Sequence, residues 1–274
     1  MAVTARDRGD RRWRPSPLLA ASAAWHLGAL CLTVARPRWW PWALGGIAAN
    51  HLWLTAAGLW PRSQVLGPNW VRLPDAPSNR RAVAITIDDG PDPQVTPRVL
   101  ELLARAGARA TFFCVGTRAL AQPDLTAEIV RQGHAVENHS QHHAHHFSLL
   151  GPAALRAEIG RAQECFEALT GERPRFFRAP AGLRNPFLEP VLCGLQLRLA
   201  SWTRRGFDTV ATNPDLVLRR LQTGLQGRDI LLLHDGHAAR TAAGVPVVLE
   251  VLPRLLDACA AAGLATITLR AAEA

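Results

Sequence analysis

The stretch AITIDDGPD, residues 84–92, decides the fold of this chain. Its first half, residues 84–87, has the apolar and β-branched composition of a buried strand. The strand leads directly into Asp88 and Asp89, although burial and mutual repulsion both make such a pair of acids costly. A turn is one explanation, because Asp-Gly commonly follows a strand. A catalytic or metal site at the tip of the strand is the other.

Apolar runs suited to strands recur after residue 81, and helix-like segments lie between most of them. The helix-like segments carry apolar residues at three- and four-residue spacing. This alternation predicts an α/β fold with a parallel sheet, for which a barrel and an open sheet are both possible. In either fold, ligands gather at the carboxyl ends of the strands, where the two acids lie. The predicted strands are 82–88, 110–115, 134–138, 175–179, 197–202, 229–234 and 264–269, and the predicted helices are 97–107, 125–133, 152–171 and 245–263.

Six of the ten histidines fall within residues 134–146. His139 and His143 are four residues apart, so one helical turn would present both imidazoles to the same point. His142 and His146 have the same spacing. Two imidazoles and one carboxylate are a suitable ligand set for a catalytic zinc ion. The spacing therefore predicts a metal site but leaves open which pair binds, and a histidine-rich loop that binds nothing is the alternative.

Residues 1–80 have a different character. Residues 18–35 and 42–60 contain no Asp, Glu, Lys or Arg, and each run is about long enough to cross a bilayer, which takes roughly 20 residues. Seven of the nine tryptophans lie within the first 60 residues, as interfacial anchors do. We expect a transmembrane helical hairpin, and a cleaved signal peptide followed by a core helix is the alternative. The predicted organisation is a basic flank (1–16), a membrane segment with two helices (17–61), a linker (62–80) and a catalytic domain (81–274).

The arginines predict the orientation of this hairpin. By the positive-inside tendency, both flanks and the catalytic domain lie at the cytoplasmic face of the inner membrane. If only one run spans the bilayer, the catalytic domain lies on the periplasmic side instead. The arginines that precede the first run are Arg6, Arg8, Arg11, Arg12 and Arg14, those between the runs are Arg36 and Arg38, and those that follow are Arg62, Arg72 and Arg80.

Composition argues against other classes of protein. The chain has 31 Lys+Arg, all of them Arg, against 22 Asp+Glu, and a formal charge of +9. No run of basic residues interleaved with aromatics follows the N-terminus, so we expect no nucleic-acid partner. The five cysteines show no CxxC spacing, which favours free thiols over a zinc or disulfide framework. No obligate protein partner is evident from the sequence.

Four motifs, taken in order, resemble those of the polysaccharide deacetylases, the nodulation-protein (NodB) homology group of carbohydrate esterases. TIDDG at 86–90 is similar to the family's first motif, and NHSQHH at 138–143 is similar to the second, which supplies two histidine ligands. FFRAPAG at 176–182 resembles the third motif, and ILLLHD at 230–235 resembles the last. The resemblance covers roughly residues 81–270. It implies a distorted (β/α) barrel of about seven strands with one divalent metal at its mouth.

By motif position, the resemblance implies that Asp89, His139 and His143 bind the metal, and that Asp88 is the general base. This selects His139 and His143 among the possible pairs. The metal is expected to be zinc, although the same ligands accept cobalt or nickel. The two adjacent acids then have different roles, because one neutralises the metal and the other stays free to take a proton.

The implied reaction is hydrolysis of an N-acyl group, most simply N-acetyl, from an amino sugar. His234 protonates the leaving nitrogen, and Arg178 pairs with Asp88. The backbone N–H of Ala181 stabilises the oxyanion. Pro180, in the third motif, is a further implied substrate contact. Trp202 and Leu232 are implied to line the pocket that receives the acyl group.

The chain departs from the family's pattern at the fourth motif, which usually reads Asp-x-x-Asp-Trp. The stretch SWTRRGFDTV, residues 201–210, has Arg205 near the first aspartate and Thr209 in place of the tryptophan. Asp208 is therefore the candidate to orient His234. Ala181 also stands where an aromatic residue is common, which opens the site. These departures indicate an unusual substrate and not an inactive enzyme, because the implied metal ligands and proton-transfer groups are all present.

Three hypotheses for function follow. The first is a deacetylase of a lipid-linked amino sugar at the cytoplasmic membrane face. The second is an extracytoplasmic deacetylase of peptidoglycan or an exported polysaccharide. The third is a non-catalytic, membrane-tethered sugar-binding module.

Overall fold

The computed structural model describes residues 11–273, so Arg6 and Arg8 of the predicted basic flank lie outside the described residues. The strands are β1 (Ala82–Asp88), β2 (Ala110–Cys114), β3 (Ala135–Asn138), β4 (Phe176–Phe177), β5 (Arg198–Leu199), β6 (Arg204–Arg205), β7 (Ile230–His234) and β8 (Ala265–Thr266). The helices are α1 (Pro17–Ala35), α2 (Trp40–Leu59), α3 (Thr96–Arg105), α4 (Gly116–Ala121), α5 (Pro123–Arg131), α6 (Pro152–Thr170), α7 (Leu188–Gly194), α8 (Pro214–Gln222) and α9 (Val247–Ala261).

The strands form one curled parallel sheet, and the predicted distorted barrel is confirmed. The strand order is β5-β4-β3-β2-β1-β7-β6, and β8 pairs with the start of β1. Because β5 and β6 lie at the two ends of this order, the barrel is incomplete. All seven predicted strands contain an observed strand, although β4, β5 and β8 are only two residues long.

The alternation of side chains along β1 explains how the sheet is packed and where the acids point. Val83, Ile85 and Ile87 belong to the core between the sheet and the helices. Ala84 points to the opposite face and joins a second core inside the barrel. Because side chains alternate along a strand, Asp88 shares the face of Ala84 and points into the barrel. A buried strand therefore delivers its last side chain to the mouth of the barrel.

The structure contains elements that the sequence patterns did not predict. These are β6 and the helices α4, α7 and α8. The first two of these helices have only 6 and 7 residues, which is too short for a helical periodicity to show. β6 consists of two arginines, which have no strand-like pattern, and it forms because its backbone pairs with β7. The formation of this strand therefore depends on its pairing with a strand that is distant in sequence.

The helices α1 and α2 form an antiparallel hairpin with specific side-chain contacts. Trp25 packs directly on Gly46, where a Cβ would come within 2.5 Å of the indole. The amide of Asn50 donates to the hydroxyl of Ser22 at 2.8 Å. Many large apolar side chains remain exposed on the hairpin and its ends, including Trp25, Leu27, Leu30, Val34, Trp42, Leu52, Trp53 and Trp60.

Within the described residues, α1 is the one helix that is long and apolar enough to cross a membrane, with 19 residues and a mean hydropathy of 1.7. It lies near the N-terminus, where a signal sequence would meet the same criterion. The helix α2 has a similar length but does not meet the hydropathy criterion. A membrane segment with two spans therefore stays a prediction.

The hairpin is joined to the α/β domain by hydrogen bonds. The backbone N–H of Arg184 donates to the carbonyl of Gly58 near the end of α2, at 3.1 Å. The guanidinium of Arg184 donates to the carbonyls of Ser63 (2.8 Å) and Gly67 (3.2 Å). Arg11, just before α1, pairs with Glu189 at 2.7 Å. The N-terminal flank and the end of α2 therefore contact the same side of the α/β domain.

We predict that Gly58→Ala loosens this junction, because its Cβ would lie 2.2 Å from the carbonyl oxygen of Arg184. Overpacking of this kind costs about 1–3 kcal/mol of unfolding free energy. Gly45→Ala is the matched control, since a Cβ at Gly45 meets nothing within 4 Å in the same helix. Thermal unfolding of the detergent-solubilised chain should show a lower midpoint for the first variant alone. Equal midpoints would contradict the junction described here.

Candidate active site

Asp88 and Asp89 end β1 with their side chains in different surroundings. Asp89 has a φ of 74°, a left-handed conformation that aspartate tolerates better than most residues. The carboxylate of Asp88 stays in the barrel, where its Oδ1 accepts from the guanidinium of Arg178 at 2.6 Å. The carboxylate of Asp89 faces the histidines of the second motif. The turn after the strand therefore separates two acids that are neighbours in sequence.

Asp89, His139 and His143 come together as a possible metal site. The Oδ1 atom of Asp89 lies 3.2 Å from the Nε2 atoms of both histidines, and all three ligand atoms lie within 4.8 Å of one another. This oxygen is buried and has no hydrogen-bond partner among residues 11–273. His139 donates from Nδ1 to the carbonyl of Arg178 at 2.8 Å, which leaves the lone pair of its Nε2 for a metal. The three side chains therefore fit a divalent cation.

The electrostatics of this cluster also suit a cation. Burial lowers the pKa of His143 to about 4, and the nearby His139 adds to this effect. A neutral imidazole is the form that binds a metal. Burial acts to raise the pKa of Asp89, but the imidazoles of His139 and His237 outweigh it and hold that pKa below its usual range. The carboxylate is therefore available as an anionic ligand.

The expectation that a helical turn aligns His139 and His143 is wrong. Both lie in an irregular loop after β3, in which Ser140 has a φ of 70° and His143 a φ of 52°. The N–H of Ser140 donates to Oδ1 of Asn138, and the N–H of His143 donates to the hydroxyl of Ser140. This pair of side-chain turns curls the loop and brings the two imidazole ring centres within 4.8 Å.

The alternative histidines of the cluster lie elsewhere. The imidazole of His142 is exposed and contacts Glu158 at 2.9 Å. His146 is exposed as well. Neither belongs to the one group of ligand side chains found close enough to share an ion in the described part of the chain. The structure therefore brings together the pair that the resemblance selected.

His234, the last residue of β7, forms a buried pair with Asp208 next to Asp88. His234 is opposite Asp88 in the parallel register of β7 and β1. Its Nδ1 lies 2.8 Å from Oδ1 of Asp208, and its backbone N–H donates to Oδ2 at 2.7 Å. Burial acts to lower the pKa of His234, but the charge and hydrogen bond of Asp208 raise it overall. The aspartate candidate from the divergent fourth motif is therefore in place to orient this imidazole.

Arg178 is fully buried below the acids. Besides Asp88, its guanidinium donates to the hydroxyl of Thr86 (2.8 Å) and to the carbonyls of Ala200 (3.2 Å) and Ser201 (2.6 Å). Burial lowers the pKa of this guanidinium, Asp88 opposes the change, and the positive charge of Arg205 adds to it. Each of the three nitrogen atoms of this guanidinium donates to a protein atom, so Arg178 is fixed in place and orients Asp88.

The predicted substrate contacts lie around the same mouth. Leu232 and Trp202 are buried in the core inside the barrel, and Trp202 lies 5.9 Å from the guanidinium of Arg178. Pro180 and Ala181 form a tight turn, in which Ala181 has a φ of 54°. The next residue, Gly182, faces Pro61 and Trp202, so the chain just after α2 forms one wall of this region.

His237 belongs to the site although no sequence pattern predicted it. His237, in the loop after β7, has its Nδ1 3.1 Å from Oδ2 of Asp89, the oxygen that faces away from the histidine ligands. Arg118 lies 3.0 Å from Nε2 of His237 and also donates to the carbonyl of Asp89 at 2.7 Å. Since a guanidinium only donates, Nε2 of His237 accepts and Nδ1 carries the proton that binds Asp89. The only sequence signal was its position three residues after His234.

Residues 75–198 match the family described as polysaccharide deacetylase. A peptidoglycan-N-acetylglucosamine deacetylase of Bacillus cereus is 34% identical over 183 residues, which cover 66% of this chain and 84% of that protein. A chitooligosaccharide deacetylase of Azorhizobium caulinodans is 34% identical over 159 residues, which cover 58% of this chain and 75% of that protein.

Solved structures agree with this similarity. A family 4 carbohydrate esterase from Streptomyces lividans, solved in complex with acetate, superimposes with a TM-score of 0.61 at 31% identity. The alignment covers 68% of this chain and 91% of that one.

We predict that His237→Ala weakens zinc binding by about 10-fold to 100-fold, because loss of a hydrogen bond to a ligand has that effect. His237→Asn should keep most of the affinity, since its amide can replace the Nδ1 donor. His145→Ala is the control, because His145 is exposed in the second-motif loop. Competition with a chromophoric chelator measures the affinities. Equal values for His237→Ala and His145→Ala would refute this role.

We predict that Asp208→Asn lowers the pKa of His234, because it removes the charge that raises this pKa. An imidazole that must be protonated to act loses activity as the pH rises through its pKa. The alkaline limb of kcat should therefore move to lower pH, and kcat above that limb should fall by about tenfold or more. Asp215→Asn, at an exposed residue of α8, is the control. An unchanged alkaline limb would show that Asp208 does not act through His234.

Proposed function

Because the chain belongs to the polysaccharide deacetylase family, we propose that it removes the N-acetyl group from an N-acetylglucosamine unit of a carbohydrate. The members of this family are hydrolases that act on the amide bond of acetylated amino sugars. The observation that carries the proposal is the convergence of Asp89, His139 and His143 on one point beside a second acid, Asp88.

The side chains of the site divide the reaction between them. A divalent cation held by the three ligands would supply Lewis acidity and lower the pKa of water toward about 7. Asp88, oriented by Arg178, takes the proton of the attacking water. The carbonyl carbon becomes tetrahedral, and the N–H of Ala181 donates to its oxygen. His234, oriented by Asp208, then gives a proton to the sugar nitrogen as the C–N bond breaks, so that acetate and a free amine leave.

The relatives favour a polymeric substrate. The two proteins described above are named for peptidoglycan N-acetylglucosamine and for chitooligosaccharide. Both substrates present N-acetylglucosamine in a β-linked chain, so we propose a glycan of this kind as the first candidate. In this case the catalytic domain faces the periplasm, where such polymers lie. The intact set of ligands and proton-transfer groups argues against a non-catalytic sugar-binding module.

The junction of the hairpin with the catalytic domain favours a second candidate. The loop that carries Ala181 continues to Arg184, which binds the carbonyl of Gly58 near the end of α2. If α1 and α2 cross the bilayer, the mouth of the barrel lies close to its surface. We therefore propose a lipid-linked amino sugar, such as a polyprenyl-phosphate N-acetylhexosamine, as the alternative substrate. The catalytic domain would then face the cytoplasm, as the positive-inside tendency predicts.

The test uses the full chain in detergent with chitooligosaccharide, peptidoglycan and a polyprenyl-phosphate-linked N-acetylglucosamine. We expect release of acetate, loss of activity with a chelator, and recovery with zinc. Asp88→Asn should lower kcat by about 10²-fold to 10⁴-fold, the usual contribution of a general base. Asp124→Asn, at an exposed residue of α5, is the control. Activity that survives both the chelator and Asp88→Asn would refute the proposed function.

The substrate that releases acetate decides between the two candidates. Activity on the glycans alone rejects the lipid-linked substrate, and activity on the lipid alone rejects the polymer. A reporter fused to the C-terminus gives an independent result, since a periplasmic signal supports the polymer and a cytoplasmic signal supports the lipid-linked sugar.

A further inference from the structure

Arg205 lies near the mouth of the barrel, in the segment of residues 201–210 that departs most from the family's pattern. It is the second residue of β6 and is opposite Leu232 in the parallel register with β7. Neighbours in a parallel register point to the same face of the sheet. Leu232 belongs to the core inside the barrel, and His234 follows two residues later on that face. The side chain of Arg205 therefore starts on the catalytic side of the sheet.

Two aromatic rings hold this guanidinium. Its carbon lies 5.4 Å from the ring centre of Trp202 and 4.9 Å from that of Phe207. Phe207 has a φ of 61°, an uncommon conformation for a bulky residue, and a second guanidinium, that of Arg220, lies 5.3 Å from its ring. Cation–π contacts of this kind hold a guanidinium without using its N–H donors.

No described residue accepts a hydrogen bond from the guanidinium of Arg205 or forms an ion pair with it. Its Nε atom is shielded from solvent and also has no partner within residues 11–273. The preceding residue shows the contrast, because Arg204 pairs with Asp229 at 2.5 Å and donates to the carbonyls of Thr223 and Gly224. A half-buried cation without an acceptor is costly unless a ligand supplies one.

The charge of this position is opposite to that in the family's pattern. By the resemblance, Arg205 stands near the position of the fourth motif's first aspartate, and Asp208, the candidate for the second, contacts His234. The change therefore leaves the buried catalytic pair intact and alters the side chain that faces the cleft. A planar guanidinium with free donors is suited to the oxygens of a phosphate or a carboxylate.

We propose that Arg205 binds an oxyanion group, a phosphate or a carboxylate, that the substrate carries next to its N-acetyl sugar. This inference rests on the proposed deacetylase function and adds a substrate property to it. The chain would select amino sugars with a neighbouring negative charge over neutral chitooligosaccharides. Both proposed substrate classes contain such a group, since lipid-linked sugars carry phosphate and peptidoglycan carries the carboxylates of its stem peptides. Muramic acid from which the stem peptide has been removed also carries a free lactyl carboxylate next to the N-acetylglucosamine.

The test compares matched pairs of substrates that differ only in the anion. N-acetylglucosamine 1-phosphate is compared with methyl N-acetylglucosaminide, and a disaccharide of N-acetylglucosamine and N-acetylmuramic acid is compared with N,N′-diacetylchitobiose. One charged hydrogen bond at a partly exposed site should favour the anionic member by about tenfold in kcat/KM. The pair that shows the preference identifies the anion as phosphate or carboxylate.

Variants assign the preference to Arg205. In Arg205→Gln the ratio of kcat/KM between anionic and neutral substrates should fall to about one, and Arg205→Lys should keep part of it. Arg219→Gln, an exposed residue of α8, removes the same charge and should keep the full ratio. A wild-type enzyme without a preference, or an Arg205→Gln variant that keeps it, would overturn the proposal. In that case Arg205 only packs on the two rings.

A binding measurement separates this proposal from the proposed function. Calorimetry of the zinc-loaded chain with glucosamine 1-phosphate and with glucosamine should show tighter binding of the phosphate, lost in Arg205→Gln and kept in Arg219→Gln. This result would support the site even if none of the substrates released acetate. Equal binding of the two ligands to the wild-type chain would overturn it even in an active deacetylase.

Discussion

The guanidinium of Arg178 is the contact on which the rest of the site depends. It is buried in the barrel and joins the end of β4 to β1, through Thr86 and Asp88, and to the backbone that follows β5. Its own carbonyl accepts from His139 and so sets the orientation of a metal ligand. Burying a guanidinium is costly, and this cost is offset because each of its three nitrogen atoms has an acceptor. One residue therefore aligns the proposed general base, a proposed metal ligand and three strands.

The adjacent acids at the end of β1 show how a short segment supports two roles. Asp88 keeps the inward direction of its strand, whereas the left-handed conformation of Asp89 turns the next carboxylate toward the histidines. The two carboxylates are then stabilised by separate partners, a guanidinium for one and imidazoles for the other. This separation relieves the repulsion that makes a buried pair of acids costly. The neighbouring His237 completes the surroundings of Asp89.

The divergent fourth motif keeps what is buried and changes what faces the cleft. Asp208 retains its contacts with His234, whereas Arg205 and Thr209 alter the surface around them. The N-terminal hairpin also contacts the mouth of the barrel, because the carbonyl of Gly58 accepts a hydrogen bond from the loop after Ala181. Both features lie beside the proposed reacting groups. Differences of this kind bear on which substrate binds and leave the bond that is cleaved unchanged.

The sequence by itself determined the class of fold, the strand that carries the acids, and a histidine-rich segment after another strand. Such features are local, because side-chain periodicity and strand ends are written in consecutive residues. Only the tertiary structure decided that His139 and His143 meet in a curled loop, that Asp208 reaches His234, and that His237 supports Asp89. These contacts join residues that are distant in the chain or separated by irregular turns. Their geometry depends on strand order and register, which no local pattern contains.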